Sequence, residues 1–97
     1  MKNDNNSTGW TFFTNYGHVL IFISQHADAT LREISERVGI TERATHRIVA
    51  DLERAGFLRK RRQGRRNFYE INADLPLRHP LEGHCSAKRI IETVIHS

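Results

Sequence analysis

Cysteine, proline and long hydrophobic runs are all scarce in this 97-residue chain. A single cysteine, Cys85, excludes an intramolecular disulfide and is typical of a reducing compartment. No apolar run is long enough to span a membrane. The polar, Asn-rich start of the chain also lacks the apolar stretch of a signal peptide. We therefore expect a cytoplasmic protein.

Sequence motifs of the common enzyme classes are absent as well. The chain has no Gly-rich phosphate-binding loop, no conspicuous spacing of paired carboxylates and no nucleophile elbow. His79, His84 and Cys85 lie near one another in sequence, with His96 further on. They lack the short, regular ligand pairs that zinc prefers. We predict that the protein is not an enzyme and has no metal or other cofactor.

Positive charge is concentrated in one short segment. The formal net charge is +4, and residues 57–71 carry six basic side chains against the single acid Glu70. Residues 59–66 read Arg-Lys-Arg-Arg-Gln-Gly-Arg-Arg. A polyanion would relieve the repulsion among these side chains and would release its own counterions on binding. The alternative interpretation is a solvated charge run without a ligand.

The first third of the chain predicts a polar tail followed by a helix. Residues 1–9 are polar and expected to be disordered, and an aromatic cluster follows at residues 10–13. Thr14 can cap a helix in which Tyr16, Val19, Leu20 and Ile23 occupy one face. Residues 19–23 could form a buried strand by propensity, but the cap and the length favour a helix.

Two further helices are predicted with a tight turn between them. Thr30 and Glu33 form a capping box at the start of a helix over residues 31–38, which Gly39 ends. Thr41 caps a helix over residues 42–55, which ends at Gly56 in the same way.

After Gly56 the hydrophobic period changes from helical to alternating. Leu58 begins a basic strand, Gln63-Gly64 forms a tight turn, and residues 67–71 form the returning strand, with Tyr69 and Ile71 towards the core. Two prolines predict an irregular segment over residues 74–85. Ser86 can then cap a last helix.

These features together resemble a known family. Residues 31–58, LREISERVGITERATHRIVADLERAGFL, look like the core of MarR-type transcriptional regulators, with ArsR-type regulators a close second. The resemblance covers about residues 15–71. It implies an α+β winged helix-turn-helix, with a three-helix core, a β-hairpin wing and a C-terminal helix. The expected divisions are a tail, a DNA-binding domain, an irregular segment and a C-terminal helix, at residues 1–9, 10–73, 74–85 and 86–97.

The resemblance makes helix 42–55 the recognition helix of a sequence-specific DNA-binding regulator. Arg43 and Arg47 can each donate a pair of hydrogen bonds to the O6 and N7 atoms of guanine, although Arg47 could instead form an ion pair with Asp51. Glu42 could accept a hydrogen bond from cytosine N4, or its carboxylate could only interact favourably with the positive end of the helix dipole. The predicted recognition-helix contacts are Thr41, Glu42, Arg43, Thr45, His46 and Arg47. The predicted wing contacts, to backbone or minor groove, are Arg62, Gln63, Arg65 and Arg66.

The last helix also carries an apolar stripe, which has no partner in the helix-turn-helix itself. It could complete the protomer core, or it could join a second copy, because dimers match palindromic operators. We expect a homodimer in which the interface includes Trp10, Phe13, Ile90, Ile91 and Val94. We expect this chain to lack the room for the full set of flanking dimerisation helices of longer MarR-type members. The alternative functions are a protein-interaction module of a larger assembly and a metal- or ligand-responsive regulator.

Overall fold

The computed structural model describes residues 9–96, so most of the expected disordered tail and Ser97 lie outside the described residues. The described part forms an α+β fold of helices and one antiparallel hairpin, which confirms the predicted winged helix-turn-helix with a C-terminal helix. No helix in this part is long and apolar enough to cross a membrane. Its elements are α1 (Asn15–Gln25), α2 (Leu31–Val38), α3 (Glu42–Arg54), β1 (Leu58–Gln63), β2 (Arg66–Ile71) and α4 (Ala87–Ile95).

Helix α1 forms the centre of the helical layer. Val19, Leu20 and Ile23 are buried along one of its faces, so the helical interpretation of this apolar run is confirmed. Thr14 stands at the N-cap position with an extended backbone, but its side chain makes no capping hydrogen bond there. Burial of the apolar face therefore contributes more to this helix than its cap does.

The helix-turn-helix is set by local hydrogen bonds. Thr30 Oγ1 accepts from the Glu33 N–H at 3.1 Å, and Glu33 Oε1 accepts from the Thr30 N–H at 2.8 Å, which completes the capping box. Gly39 ends α2 with φ +89°, a conformation that side chains disfavour. Thr41 Oγ1 then accepts from the Ala44 N–H at 3.0 Å and starts α3.

Helix α3 ends one residue before the predicted boundary, and its last turn directs the chain inward. The Phe57 N–H donates to the Leu52 carbonyl at 2.9 Å and the Gly56 N–H to the Glu53 carbonyl at 3.1 Å. This pair of bonds is the Schellman arrangement. It leads Phe57 into the core, where the side chain is buried.

The wing is a hairpin in continuous register from Leu58 opposite Ile71 to Gln63 opposite Arg66. Its two-residue loop is Gly64-Arg65, one position later than predicted. Gly64 has φ +63° at the first loop position, as in a type II′ turn.

The base of the wing is fixed to the helical layer. Tyr69 in β2 is buried, and its N–H donates to the Ala27 carbonyl at 2.9 Å. Ala27 lies in the loop between α1 and α2, so one backbone bond joins the wing to that loop.

The chain folds back after the wing and returns to α1. The Leu77 N–H donates to the Cys85 carbonyl at 2.8 Å, which closes an irregular loop, and Pro76 and Ser86 form an isolated bridge. Ser86 precedes α4 without a side-chain capping bond, contrary to expectation. One continuous core joins all the elements and comprises Val19, Leu20, Ile23, Ala29, Ile34, Ile48, Val49, Leu52, Phe57, Leu58, Tyr69, Ala87 and Ile91.

Two leucines test how far this core, rather than helix propensity, stabilises the fold. Leu20 is 8% exposed in the core and Leu81 is 80% exposed in the irregular loop. Leu20→Ala should lower the free energy of unfolding by about 2–5 kcal/mol, since it removes buried methyl groups and leaves a cavity. The matched Leu81→Ala change should stay within about 0.5 kcal/mol. Urea unfolding followed by circular dichroism at one protein concentration measures both, and equal losses would contradict this packing.

Candidate nucleic-acid interface

Helix α3 presents a basic face opposite its buried one. Arg43, His46 and Arg47 are all exposed and lie three and four residues apart, on one face of the helix. Ile48, Val49 and Leu52 are buried on the other side. Because the buried face anchors the helix in the core, these three side chains point into solvent from a fixed support.

Thr45 was predicted to contact a base edge, and the structure contradicts this. Its side chain is fully buried, and its Oγ1 donates to the Thr41 carbonyl at 2.9 Å. The reason is angular: successive residues turn by about 100°, so Thr45 stands about 200° from Arg43. The sequence does contain the signal, since Thr45 lies three, four and seven residues before the buried Ile48, Val49 and Leu52.

The first residues at the α3 N-terminus are exposed, but the Thr41 side chain already caps the helix. Its hydroxyl oxygen accepts from the Ala44 N–H, as described above, and its carbonyl accepts from the Thr45 N–H at 3.0 Å. Glu42 is exposed in the first turn, where the helix dipole stabilises a negatively charged carboxylate. The two sequence interpretations of Glu42 both remain compatible with this position.

Asp51 does not form the alternative ion pair with Arg47. Its carboxylate instead accepts from the Tyr16 hydroxyl at 2.6 Å and pairs with Arg54. The hydrogen bond from Tyr16, with Arg54 adding to it, holds the pKa of Asp51 below its ordinary value. Tyr16 therefore ties α1 to α3 across 35 residues of sequence. No ion pair of Arg47 forms within residues 9–96, so its guanidinium stays available on the basic face.

One face of the wing is partly neutralised. Glu70 pairs with Arg61 at 2.6 Å and lies 3.7 Å from the Arg59 guanidinium. The bond from Arg61 holds the pKa of Glu70 below its ordinary value. The alternation of the strand therefore places Arg59 and Arg61 on the face that carries Glu70, and Lys60 and Arg62 on the opposite face.

The tip of the wing retains uncompensated charge. Arg62, Gln63 and Arg65 are exposed, and neither arginine has an ion pair within the described part of the chain. The Arg62 Nε–H donates to the Gly64 carbonyl at 3.3 Å, which bends this side chain around the turn. Lys60 likewise has no ion pair within residues 9–96, and it was not among the predicted contacts, although strand alternation groups it with Arg62.

Arg66, the fourth predicted wing contact, differs from its neighbours. Its guanidinium donates to Asp28 at 2.9 Å, from the start of β2 to the loop between α1 and α2. The two residues are 38 positions apart in the sequence. No local pattern indicates such a pair, and Asp28 was accordingly not singled out.

The predicted dimerisation residues are divided between core and surface. Ile91 is only 8% exposed in the core of its own protomer, so it can contribute little area to an interface. Trp10, Phe13 and Val94 are 63%, 39% and 39% exposed, and Ile90 is half-buried. An apolar groove of about 670 Å³ is lined, among others, by Phe12, Phe13, Leu20, Leu77, Ile90 and Ile91.

The histidines near Cys85 make no cluster suited to a metal. Within residues 9–96, no three His, Cys, Asp or Glu side chains come together as a metal site. His79 Nδ1 instead accepts from the Leu81 N–H at 3.0 Å and shapes the irregular loop.

The comparisons with known proteins agree with this geometry. A family model described as "MarR family" matches residues 14–66, which extend from the cap of α1 to the first residue of β2. A comparison with curated proteins finds no match.

The bond between Tyr16 and Asp51 predicts a pH-dependent contribution to stability. Because the folded state lowers the pKa of Asp51, its stabilisation is complete above the unfolded value and disappears as the pH falls through the lowered one. Tyr16→Phe should therefore lower the urea midpoint at pH 7, and its difference from the wild type should shrink at an acid pH below the ordinary pKa of an aspartate.

Tyr69→Phe is the matched control. The Tyr69 phenol makes no hydrogen bond to Asp51, and burial is the main cause of its raised pKa. Its effect on the urea midpoint should be the same at both pH values. A Tyr16→Phe difference that is equally independent of pH would contradict the proposed role of the Asp51 carboxylate.

Proposed function

Since the chain belongs to the MarR family of DNA-binding transcriptional regulators, we propose that it binds duplex DNA in a sequence-specific manner. In this proposal α3 enters the major groove and the wing grips the backbone or the adjacent minor groove. The observation that carries it is the basic face of α3, with Arg43, His46 and Arg47 exposed on a helix whose opposite face is buried.

The roles of the α3 side chains follow from their chemistry. The planar guanidinium groups of Arg43 and Arg47 match the O6 and N7 acceptors of guanine. His46 can donate to guanine or to a phosphate. Thr41, beside the N-terminus of α3, suits a phosphate, and Glu42 suits either cytosine N4 or the helix dipole.

The wing supplies affinity without sequence reading. Arg62 and Arg65 extend from the hairpin tip with no carboxylate paired to either in the described residues, so their charge acts fully on DNA phosphates. Gln63 adds a neutral donor beside them, and Arg66 follows on β2. Arginine is also the side chain most attracted to narrow minor grooves.

We further propose that the regulator acts as a homodimer. Trp10, Phe13 and Val94 are exposed, half-buried Ile90 lies beside the groove, and the two-fold symmetry of a dimer suits an inverted-repeat operator. Ile91 also lines the groove but contributes little to this interface, because it packs inside its own protomer. We place the regulator in the cytoplasm, where its DNA would be accessible.

Selection of bound genomic fragments by the purified protein tests the function directly. Enrichment of an inverted repeat, with half-sites about one helical turn apart, would support a dimeric sequence-specific regulator. A single enriched half-site would support the regulator and contradict the dimer. No enrichment over beads without protein would contradict the proposal and favour a protein-interaction module.

Arg43 provides a test of base reading. Arg43→Ala should cost about 1–3 kcal/mol of binding free energy, and the loss should be confined to the base pair that Arg43 contacts. Competition binding against every single-base variant of the enriched site measures this. Arg89→Ala, which removes an exposed arginine from α4, serves as the matched control and should leave the preference unchanged. A uniform loss across all sequences would refute base reading by Arg43.

The wing makes a different prediction, because its contacts are with the backbone. Arg62→Ala with Arg65→Ala should weaken binding to all sequences alike. It should also reduce the slope of log K against log salt by about 0.9 for each phosphate that the protein no longer neutralises. Arg59→Ala with Arg61→Ala removes the same charge from the side of the wing that Glu70 neutralises, and should change the slope less. Equal slopes for the two double variants would contradict this division of the wing.

A further inference from the structure

The ion pair between Arg66 and Asp28 sets Arg66 apart from the other cations near the wing tip. The two side chains meet at 2.9 Å, and they are 67% and 45% exposed, respectively. Arg62 and Arg65, by contrast, have no carboxylate partner in the described part of the chain. Asp28 thus neutralises one cation at the point where the proposed interface needs positive charge.

The surroundings of the ion pair favour Arg66 staying with Asp28 over its moving to a DNA phosphate. Asp28 and Arg66 line a cleft of about 340 Å³ between α1, α2 and the start of β2. Glu33 and Glu36 line the same cleft, with Arg37 as the other cation there. A phosphate that approaches Arg66 therefore meets several carboxylates, and close like charges raise its free energy.

The ion pair is not needed to hold the wing in place. The Tyr69 N–H already donates to the Ala27 carbonyl at 2.9 Å, next to Asp28 in the chain, and the Tyr69 ring is buried. Exposed ion pairs also contribute little to stability, because water and salt screen both charges. The carboxylate of Asp28 therefore has a larger effect on the electrostatics of the wing than on its attachment.

We infer that Asp28 competes with DNA phosphate for Arg66 and so limits the affinity of the wing, an inference that rests on the proposed function. When DNA binds, a phosphate gains Arg66 only if the guanidinium leaves Asp28. Asp28 thereby weakens binding to all sequences alike and leaves unchanged the difference in binding free energy that base contacts create between sequences.

Asp28→Asn tests the inference, since it removes the charge and keeps the shape of the side chain. At about 0.1 M salt, this variant should bind a fluorescent duplex up to about fivefold more tightly than the wild type. The gain should be the same for the enriched site and for an unrelated duplex. The salt slope should also steepen, by up to about 0.9, because Arg66 becomes a phosphate contact.

Two controls separate competition for Arg66 from a change in net charge. Asp74→Asn removes the same charge from an exposed site after the wing and should leave affinity within about 1.5-fold. In an Arg66→Ala background, Asp28→Asn should also change affinity by less than about 1.5-fold, because no guanidinium is left to release. Circular dichroism melting of each variant confirms that the fold is retained.

The outcomes distinguish this inference from the proposed function. If the wild type binds the enriched site and Asp28→Asn gives no gain, competition by Asp28 is refuted while DNA binding stands. A gain that persists without Arg66, or that Asp74→Asn reproduces, refutes the competition equally. If neither the wild type nor Asp28→Asn binds any duplex, the proposed function and the inference fail together.

Discussion

Helix α3 must bury one face in the core, and this requirement determines what its other face can offer. Ile48, Val49 and Leu52 fix the rotation of the helix, because turning it would expose these side chains to water. Arg43 and Arg47 are then held outward by the packing of the opposite face. The sharp Schellman exit after α3 sends Phe57 inward and starts the wing from a defined point. The positions of both basic surfaces thus depend on the burial of one helix face.

Features encoded over a few residues could be predicted from the sequence. The capping box at Thr30, the positive-φ glycine that ends α2 and the alternation of the wing all depend on neighbours within about four positions. The placement of Thr45 was also available from its spacing to Ile48, but the hydroxyl group suggested a polar surface instead. Buried threonines of this kind satisfy their hydroxyl on a carbonyl one helical turn back, as Thr45 does with Thr41.

Long-range polar partners could not be predicted in the same way. The Tyr16 hydroxyl reaches Asp51 over 35 positions, and Arg66 reaches Asp28 over 38. Each pair forms only once packing has brought its two elements together. The sequence around each of these residues does not indicate which distant residue is its partner. The same holds for Ile91, whose apolar stripe on α4 predicts burial but does not say whether the buried surface belongs to the same protomer. Local rules therefore identified the basic surfaces, whereas tertiary contacts determined which charges remain uncompensated.

This distinction matters for a DNA-binding surface, because affinity depends on the charge available at the surface rather than on composition. Residues 59–66 contain six cations, yet Glu70 and Asp28 hold three of them in ion pairs. Lys60, Arg62 and Arg65, at the tip and along one side of the hairpin, have no ion pair with any residue that the structure describes. Under the proposed function, a wing with all six cations uncompensated would bind any duplex more strongly, with no gain in discrimination between sequences. In that proposal, the carboxylates of Glu70 and Asp28 moderate this nonspecific contribution to binding and leave α3 unaltered.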